Sequence, residues 1–198
     1  LGDVYKRQDY SAEVSTLASA GGDAVAVIGY LDQGGKGIIQ GSLDSGAFDT
    51  FILSDGMIGD SLTDAFGKSL NKSFGSLPGS TGKGAGVFAK VAGKAGIDPS
   101  GPYTGESYDA AALIVLAMQA GGSADRGSIA KNVMAVANGP GKKIYPGQLK
   151  KALDLLAKGK AVDYEGATGV VFTDVGEHVG NFLEKEIKGG KFKTKKQR

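Results

Sequence analysis

Two polar side chains follow closely after short apolar runs of this chain. Tyr30 comes after the run at 24–28, and Asp55 comes after the run at 51–53. If both runs are neighbouring parallel strands, their carboxyl ends meet at the same edge of a sheet, where ligands of open α/β sheets bind. A tyrosine offers an apolar ring and a hydroxyl, and an aspartate accepts charge-assisted hydrogen bonds from an ammonium. This pair would suit the amino end of an amino acid, although an Asp-Gly pair is also a common turn former.

Other chemistries find little support in the sequence. The chain has one histidine, His178, and no cysteine, so a thiolate site is excluded and a histidine-rich zinc site is too. The glycine-rich stretches at 34–37 and 79–84 lack the residues that a phosphate-binding loop needs at its fixed positions. We therefore expect no catalytic residue, no metal and no cofactor. An α/β enzyme that uses His178 stays open as a less favoured alternative.

Alternating helix and strand patterns predict the fold class. Short apolar runs bounded by turn residues predict strands, and apolar residues repeated at helical spacing predict helices. The first part of the chain gives a helix, strand, helix, strand, helix order at 11–20, 24–28, 34–45, 51–53 and 60–70. This alternation predicts an α/β fold with a parallel sheet flanked by helices.

The second part of the chain is richer in helices. A Gly/Ser/Pro-rich stretch at 74–86 predicts a loop. The helix expected at 107–119 is apolar almost all round, which predicts burial on several sides. Further helices are expected at 87–95, 128–137 and 146–158, and strands at 170–172 and 179–187.

Composition and the chain ends limit the remaining classes. The net charge of +2 is too small to indicate a nucleic-acid partner, and no apolar run is long enough to span a membrane. Residues 1–8 join poorly to the pattern that begins at residue 9, and we expect them to be a cloning or sequencing artefact. Residues 188–198 carry five lysines and an arginine, which predicts a flexible basic tail and leaves a basic partner-binding patch as the alternative.

Four segments, taken in order, carry a resemblance to a known family. They are DAVAVIGY at 23–30, FILSDG at 51–56, GPYTGESYDAAAL at 101–113 and VDYEGATGVVF at 162–172. Together they resemble the C-terminal half of the extracytoplasmic solute-binding proteins of ABC transporters, of the branched-chain amino-acid type. The resemblance implies a type I periplasmic-binding-protein lobe. Residues 9–187 would then form the ligand-binding C-terminal lobe, with elements that return to a missing N-terminal lobe.

The resemblance also implies roles for particular residues. Tyr30 and the Asp55–Gly56 pair correspond to positions that contact the ligand amino group. Gly105 and Glu106 stand where the family places a ligand-lining residue that is often aromatic. Glycine there would leave room and Glu106 would add a charge, which argues against a plain leucine or isoleucine ligand. Tyr103 and Tyr108 would pack in the hinge region.

The implied function is binding without chemistry. The protein would capture a small amino acid or a related amide by hinge closure and deliver it to a membrane permease from a periplasmic or other extracytoplasmic location. A ligand-sensing or regulatory domain on the same fold is the alternative function. No bond would be made or broken, so no enzyme activity is expected.

Overall fold

The structure is a computed structural model that describes residues 9–80 and 82–198. The expected artefact at 1–8 lies outside the described residues. The described chain divides into two compact units. The sheet unit contains the residues from Asp9 to Pro78 together with Phe182–Arg198, and the helical unit contains Gly79–Asn181.

The helices and strands alternate through most of the chain. In chain order they are α1 (Ser11–Ala20), β1 (Val25–Val27), α2 (Lys36–Ser45), β2 (Phe51–Leu53), α3 (Asp60–Phe66), β3 (Phe74–Gly79), α4 (Gly82–Lys94), α5 (Thr104–Gly121), α6 (Arg126–Ala137), β4 (Lys142–Ile144), α7 (Leu149–Leu156), β5 (Val162–Tyr164), β6 (Asn181–Ile187) and β7 (Phe192–Gln197). Single irregular turns at Leu31–Gly35 and Asp55–Met57 follow β1 and β2.

A five-stranded sheet in the order β1-β2-β3-β6-β7 organises the sheet unit. β1 and β2 run parallel with Val25 opposite Phe51, β2 and β3 also run parallel, and β6 pairs antiparallel with β7. The expected α/β fold with a mostly parallel sheet is therefore confirmed. The helix expected at 11–20 and the strand expected at 51–53 have the predicted bounds.

The core of the sheet unit lies on one face of the sheet. Alternate residues of β1 and β2 are buried, and the residues between them are exposed, because successive strand side chains point to opposite faces. The buried residues pack against Ile39 of α2 and Leu62 of α3. These two helices thus cover the face that carries Val25, Val27 and Phe51.

The segment expected to be a loop at 74–86 instead forms β3 and the start of α4. Gly75 is buried beside β2, and a Cβ on it would lie 2.2 Å from the carbonyl oxygen of Leu53. Here glycine permits the close approach of two backbones rather than flexibility. The glycine-rich composition predicted a loop at a place where the chain forms a strand.

The basic segment at 188–198 also differs from the flexible tail that its charge predicted. Residues Phe192–Gln197 form β7, which pairs with β6 so that Ile187 lies opposite Phe192. Glu184 of β6 forms ion pairs with Lys195 and Arg198. Cross-strand pairing satisfies the backbone groups here, and lysines are common on strands at the edge of a sheet.

The helical unit is built around α5. Its core joins Leu116 of α5 to Val136 of α6 and to Ile144 and Tyr164 of a two-stranded parallel sheet, β4-β5. Neither of these short strands was predicted. The strand expected at 170–172 is reduced to a single antiparallel bridge between Phe172 and His178.

Only one face of α5 is buried, which corrects the expectation of burial on several sides. Leu116 and Ala117 are fully buried, whereas Ile114 and Val115 are 48% and 43% exposed. The described chain therefore leaves some of the apolar side chains of this helix uncovered. No helix among the described residues is both long and apolar enough to cross a membrane.

Truncation of the buried and exposed residues of α5 should have unequal effects. Leu116→Ala removes side-chain atoms that are completely buried and should lower the free energy of unfolding by about 2–5 kcal/mol. Ile114→Ala on the same helix should change it by less than about 0.5 kcal/mol. Urea denaturation followed by circular dichroism measures both. Equal losses would contradict this packing of α5.

Candidate functional site

The loops that follow β1 and β2 are joined by hydrogen bonds. The Gly29 N–H donates to Ser54 Oγ at 3.2 Å, and the Ser54 hydroxyl lies 3.3 Å from the Gly29 carbonyl oxygen, to which it can donate. The Ser54 N–H donates to the carbonyl of Val27 at 3.1 Å. These contacts continue the strand pairing past the ends of both strands, so the next residues in each loop, at 30 and 55, share one rim.

Gly56 brings the second loop directly against the first. A Cβ at this position would lie 2.4 Å from the Gly29 carbonyl oxygen and 2.8 Å from Cδ1 of the Tyr30 ring. The absence of a side chain is therefore what lets the two loops touch. The Tyr30 side chain lies beside Gly56 and is 61% exposed, so the ring and its hydroxyl are available at the rim.

Asp55 stands at the start of the single turn at Asp55–Met57 and is half-buried. Its Oδ1 accepts a hydrogen bond from the Gly56 N–H at 2.7 Å. A carboxylate has about four acceptor positions on its two oxygens, so this bond leaves capacity for an ammonium or amide donor. The structure thus brings together the predicted residues Tyr30, Asp55 and Gly56 at one edge of the sheet unit.

Gly105 and Glu106 lie in the helical unit, in the first turn of α5. Gly105 is buried, and a Cβ there would lie 2.9 Å from Ser80 Oγ and 3.5 Å from the Ala167 side chain. The space beside Gly105 is therefore filled by the protein, which differs from the room for a ligand that the resemblance implied. Glu106 is half-buried.

Sequence reasoning missed Asp109, one of the few buried polar residues of the described chain. It is 3% exposed, and its carboxylate accepts hydrogen bonds from the Tyr164 hydroxyl at 2.8 Å, from the N–H groups of Ala167 and Thr168, and from the Thr168 hydroxyl. Burial, together with the Asp109 carboxylate, raises the pKa of Tyr164 well above its ordinary value. The phenol therefore stays protonated and donates.

The two tyrosines at the start of α5 differ in environment. Tyr108 packs on Phe88 with ring centroids 5.3 Å apart, and its hydroxyl accepts from the Gly147 N–H at 2.8 Å. Tyr103 precedes α5 and has φ 58°, the one positive value among the described residues other than glycine. A left-handed conformation is costly for a bulky residue, and Tyr103 adopts it at the break directly before α5.

The described residues hold no group of three or more His, Cys, Asp or Glu side chains that could bind a metal. His178 lies exposed at the bridge with Phe172, whose ring it meets edge-on with centroids 6.2 Å apart. The arrangement at the rim of the sheet unit can bind a polar group that carries hydrogen-bond donors.

Solved structures with the same architecture cover nearly the whole chain. The leucine-binding protein LivK from Thermotoga maritima superimposes with a TM-score of 0.69 at 20% identity over 97% of this chain and 49% of its own. A periplasmic binding protein type 1 from Bordetella pertussis gives 0.67 at 20% identity, covering 96% of this chain and 50% of its own. A branched-chain amino-acid ABC transporter protein from Thermus thermophilus with bound valine gives 0.57 at 15% identity, covering 97% and 50%. The chain therefore has the type I periplasmic-binding-protein fold.

The sequence also resembles one curated protein. Over 98 residues it is 35% identical to the chemotactic signal transduction system substrate-binding protein BasB of Halobacterium salinarum, a match that covers 49% of this chain and 24% of BasB. No protein-family model matches the chain. The resemblance to branched-chain amino-acid solute-binding proteins is confirmed by this match together with the solved structures. The chain spans about half the length of those structures.

A methyl group at Gly56 should disturb the contact between the two loops. Gly56→Ala places that methyl against the Gly29 carbonyl oxygen and the Tyr30 ring, and such overpacking should lower the free energy of unfolding by about 1–3 kcal/mol. Gly41→Ala in α2 is the control, because a Cβ at Gly41 would lie at an ordinary contact distance of 3.7 Å from Val14 of α1. The control should be neutral or up to about 1 kcal/mol more stable. Urea denaturation compares them, and a fully stable Gly56→Ala chain would show that the loops do not touch.

Replacement of Asp109 by its amide should be costly despite the similar shape. In Asp109→Asn an NH₂ group, which can only donate hydrogen bonds, replaces one of the two carboxylate oxygens, which accept them. At least one buried donor therefore loses its partner, at a cost of about 1–3 kcal/mol. Asp98→Asn is the control, since exposed Asp98 accepts from Ser100 on the surface of the same unit. Thermal unfolding should show a lower midpoint for the first variant alone. The same midpoint for both would contradict the role of Asp109.

Proposed function

We propose that this chain is part of an extracytoplasmic solute-binding protein that captures a small amino acid or a related amide. The observation that carries the proposal is the contact of Tyr30 with Gly56 beside Asp55, at the carboxyl ends of two adjacent parallel strands. In this arrangement the Asp55 carboxylate accepts hydrogen bonds from the ligand ammonium, and the Tyr30 ring shields that contact from water. The likeness to a leucine-binding protein and to a valine-bound transport protein supports this ligand class.

The sheet unit supplies one wall of the ligand site in this proposal. The complete protein closes a second wall over the ligand by a hinge movement, because a small ligand gains most of its affinity when it is buried on most sides. In the helical unit, Glu106 is a candidate ligand contact, and Gly105 contributes through the packing of α5. The closed, loaded protein is then recognised by a membrane permease, and no bond is made or broken in the ligand.

A sensory role is the second candidate, and one observation favours it. BasB is described as a substrate-binding protein of a chemotactic signal transduction system. A loaded protein of this kind could dock on a membrane receptor instead of a permease. Cross-linking of the loaded complete protein in its native membrane, followed by identification of the captured membrane protein, separates the two functions.

Asp55 should dominate ligand affinity in the complete protein. Truncation of one partner of a desolvated charged pair costs roughly 2–5 kcal/mol, so Asp55→Ala should weaken binding at least about thirtyfold at about 1.4 kcal/mol per decade. Asp55→Asn should recover little, because an amide carries no charge. Isothermal titration calorimetry with a panel of L-amino acids measures the change for whichever binds the unaltered protein.

Asp32→Ala is the matched control for this experiment. Asp32 lies in the turn after β1, is largely exposed and pairs with Lys36 at 2.8 Å, so its loss should change affinity by less than about twofold, as expected for a surface ion pair. If both Asp55 variants bind as tightly as the unaltered protein, Asp55 is only a turn residue and the proposed site is wrong.

A further inference from the structure

The turn that follows β1 is held between two side chains from other parts of the sheet unit. We call this turn, Leu31–Gly35, the first rim turn. On one side, a Cβ at Gly34 would lie 2.1 Å from the Tyr10 hydroxyl oxygen and 2.9 Å from the ring carbon that bears it. On the other side, a Cβ at Gly35 would lie 2.2 Å from Sδ of Met57. The first rim turn is therefore clamped between Tyr10 and Met57.

Glycine at both contact positions of the first rim turn allows this close packing. Gly34 has φ 107°, a conformation that glycine adopts readily and that residues with a side chain rarely adopt. Gly35 is buried, and a Cβ there would also lie 2.8 Å from the carbonyl oxygen of Tyr30. Contacts as close as these leave little room for movement, so the turn is fixed relative to the side chains of Tyr10 and Met57.

Tyr10 reaches the rim because it stands directly before α1. Its carbonyl accepts a hydrogen bond from the Val14 N–H at 2.9 Å, in the first turn of that helix. Since α1 leads into β1, its first residues lie towards the end of β1 at which the rim forms. The Tyr10 side chain is half-buried, and a tyrosine ring has only two rotatable bonds to order. It is therefore suited to hold a loop in one position.

The clamp acts on Tyr30 through backbone hydrogen bonds. The Tyr30 carbonyl accepts from the Gln33 N–H and from the Gly35 N–H, both at 3.2 Å. These two donors stand on either side of Gly34, which is the residue that Tyr10 contacts. A displacement of Gly34 would therefore move both donors and release the carbonyl of Tyr30.

Met57 joins the clamp to the loop that carries Asp55. Both residues belong to the single turn Asp55–Met57 after β2. The Met57 side chain is fully buried, and its N–H donates to the Ser54 carbonyl at 3.0 Å. Buried side chains interdigitate with their neighbours at high density, so Met57 has a fixed position. The first rim turn thus packs on the same short turn that presents Asp55.

We propose that Tyr10 is a positioning residue of the ligand site. Its ring holds the first rim turn against Met57, and this contact keeps Tyr30 beside Asp55 before a ligand arrives. A site that is ordered in advance binds more tightly, because the free energy of ordering the loop is not taken from the binding reaction. This inference rests on the proposed function, since it takes the rim of the sheet unit as the ligand site.

Hydrogen exchange tests the positioning without a ligand. In the 198-residue chain, Tyr10→Ala should speed the exchange of the Gln33 and Gly35 amides at least about tenfold, because local opening of the turn becomes easier. Tyr10→Phe keeps the ring beside Gly34 and should leave both rates nearly unchanged. The Val25 amide, which donates to a carbonyl at the far end of β1, is the internal reference. Nuclear magnetic resonance measures each amide separately.

Ligand affinity in the complete protein tests the consequence for binding. Tyr10→Ala should weaken binding about tenfold and Tyr10→Phe by less than about twofold, measured by the calorimetry used for the Asp55 variants. Val14→Ala is the matched control on α1, because Val14 is 2% exposed and packs beside Gly41 of α2. It should lower stability but change affinity by less than about twofold. Circular dichroism at the temperature of the titration verifies that each variant is folded.

The results separate this inference from the proposed function. If Tyr10→Ala binds tightly while Asp55→Ala does not, the ligand site stands and the positioning role of Tyr10 is wrong. If neither variant loses affinity, the ligand site itself is wrong and the inference fails with it. Equal losses in Tyr10→Ala and Val14→Ala, or unchanged amide exchange in Tyr10→Ala, would also overturn the positioning role.

Discussion

The parallel pairing of β1 with β2 is the interaction on which the proposed site depends. The register that sets Val27 opposite Leu53 also sets Gly29 against Ser54, and their hydrogen bonds carry the pairing into the loops. A slip of one residue would move the side chains of a strand to the other face and would separate Tyr30 from Asp55. The geometry of the proposed site is therefore linked to the packing of Val25, Val27 and Phe51 in the core below it.

In the helical unit, a buried carboxylate makes the interaction on which the surrounding packing depends. Asp109 ties α5 to β5 through Tyr164 and to the following turn through the N–H groups of Ala167 and Thr168. Burial of a charge is unfavourable unless hydrogen bonds satisfy it, and this turn supplies them from the backbone. The same turn approaches Gly84, where a Cβ would lie 2.1 Å from the carbonyl oxygen of Gly166. Asp109 thus anchors the N-terminal part of α5, which carries Glu106, to β5 and the turn after it.

Both units of the chain expose apolar side chains on their surfaces. The apolar residues Ile52 and Phe74 on the sheet unit, and Ile114 and Val115 on the helical unit, are more exposed than their composition favours. The chain spans about half the length of the solved proteins whose fold it shares. Binding and stability are for this reason best measured in the complete protein as well as in the chain.

The sequence by itself determined the features that depend on neighbouring residues. The helical spacing at 11–20, the apolar run at 51–53 and the rule that ligands bind at strand ends were enough to predict the α/β fold and to bring Tyr30 together with Asp55. Only the tertiary structure decided β3, β7 and the role of Asp109. β3 is rich in glycine and exists because it pairs with neighbouring strands, and β7 is basic and exists because it pairs with β6. Asp109 finds its partners more than 50 residues away, and no local pattern encodes contacts at that separation.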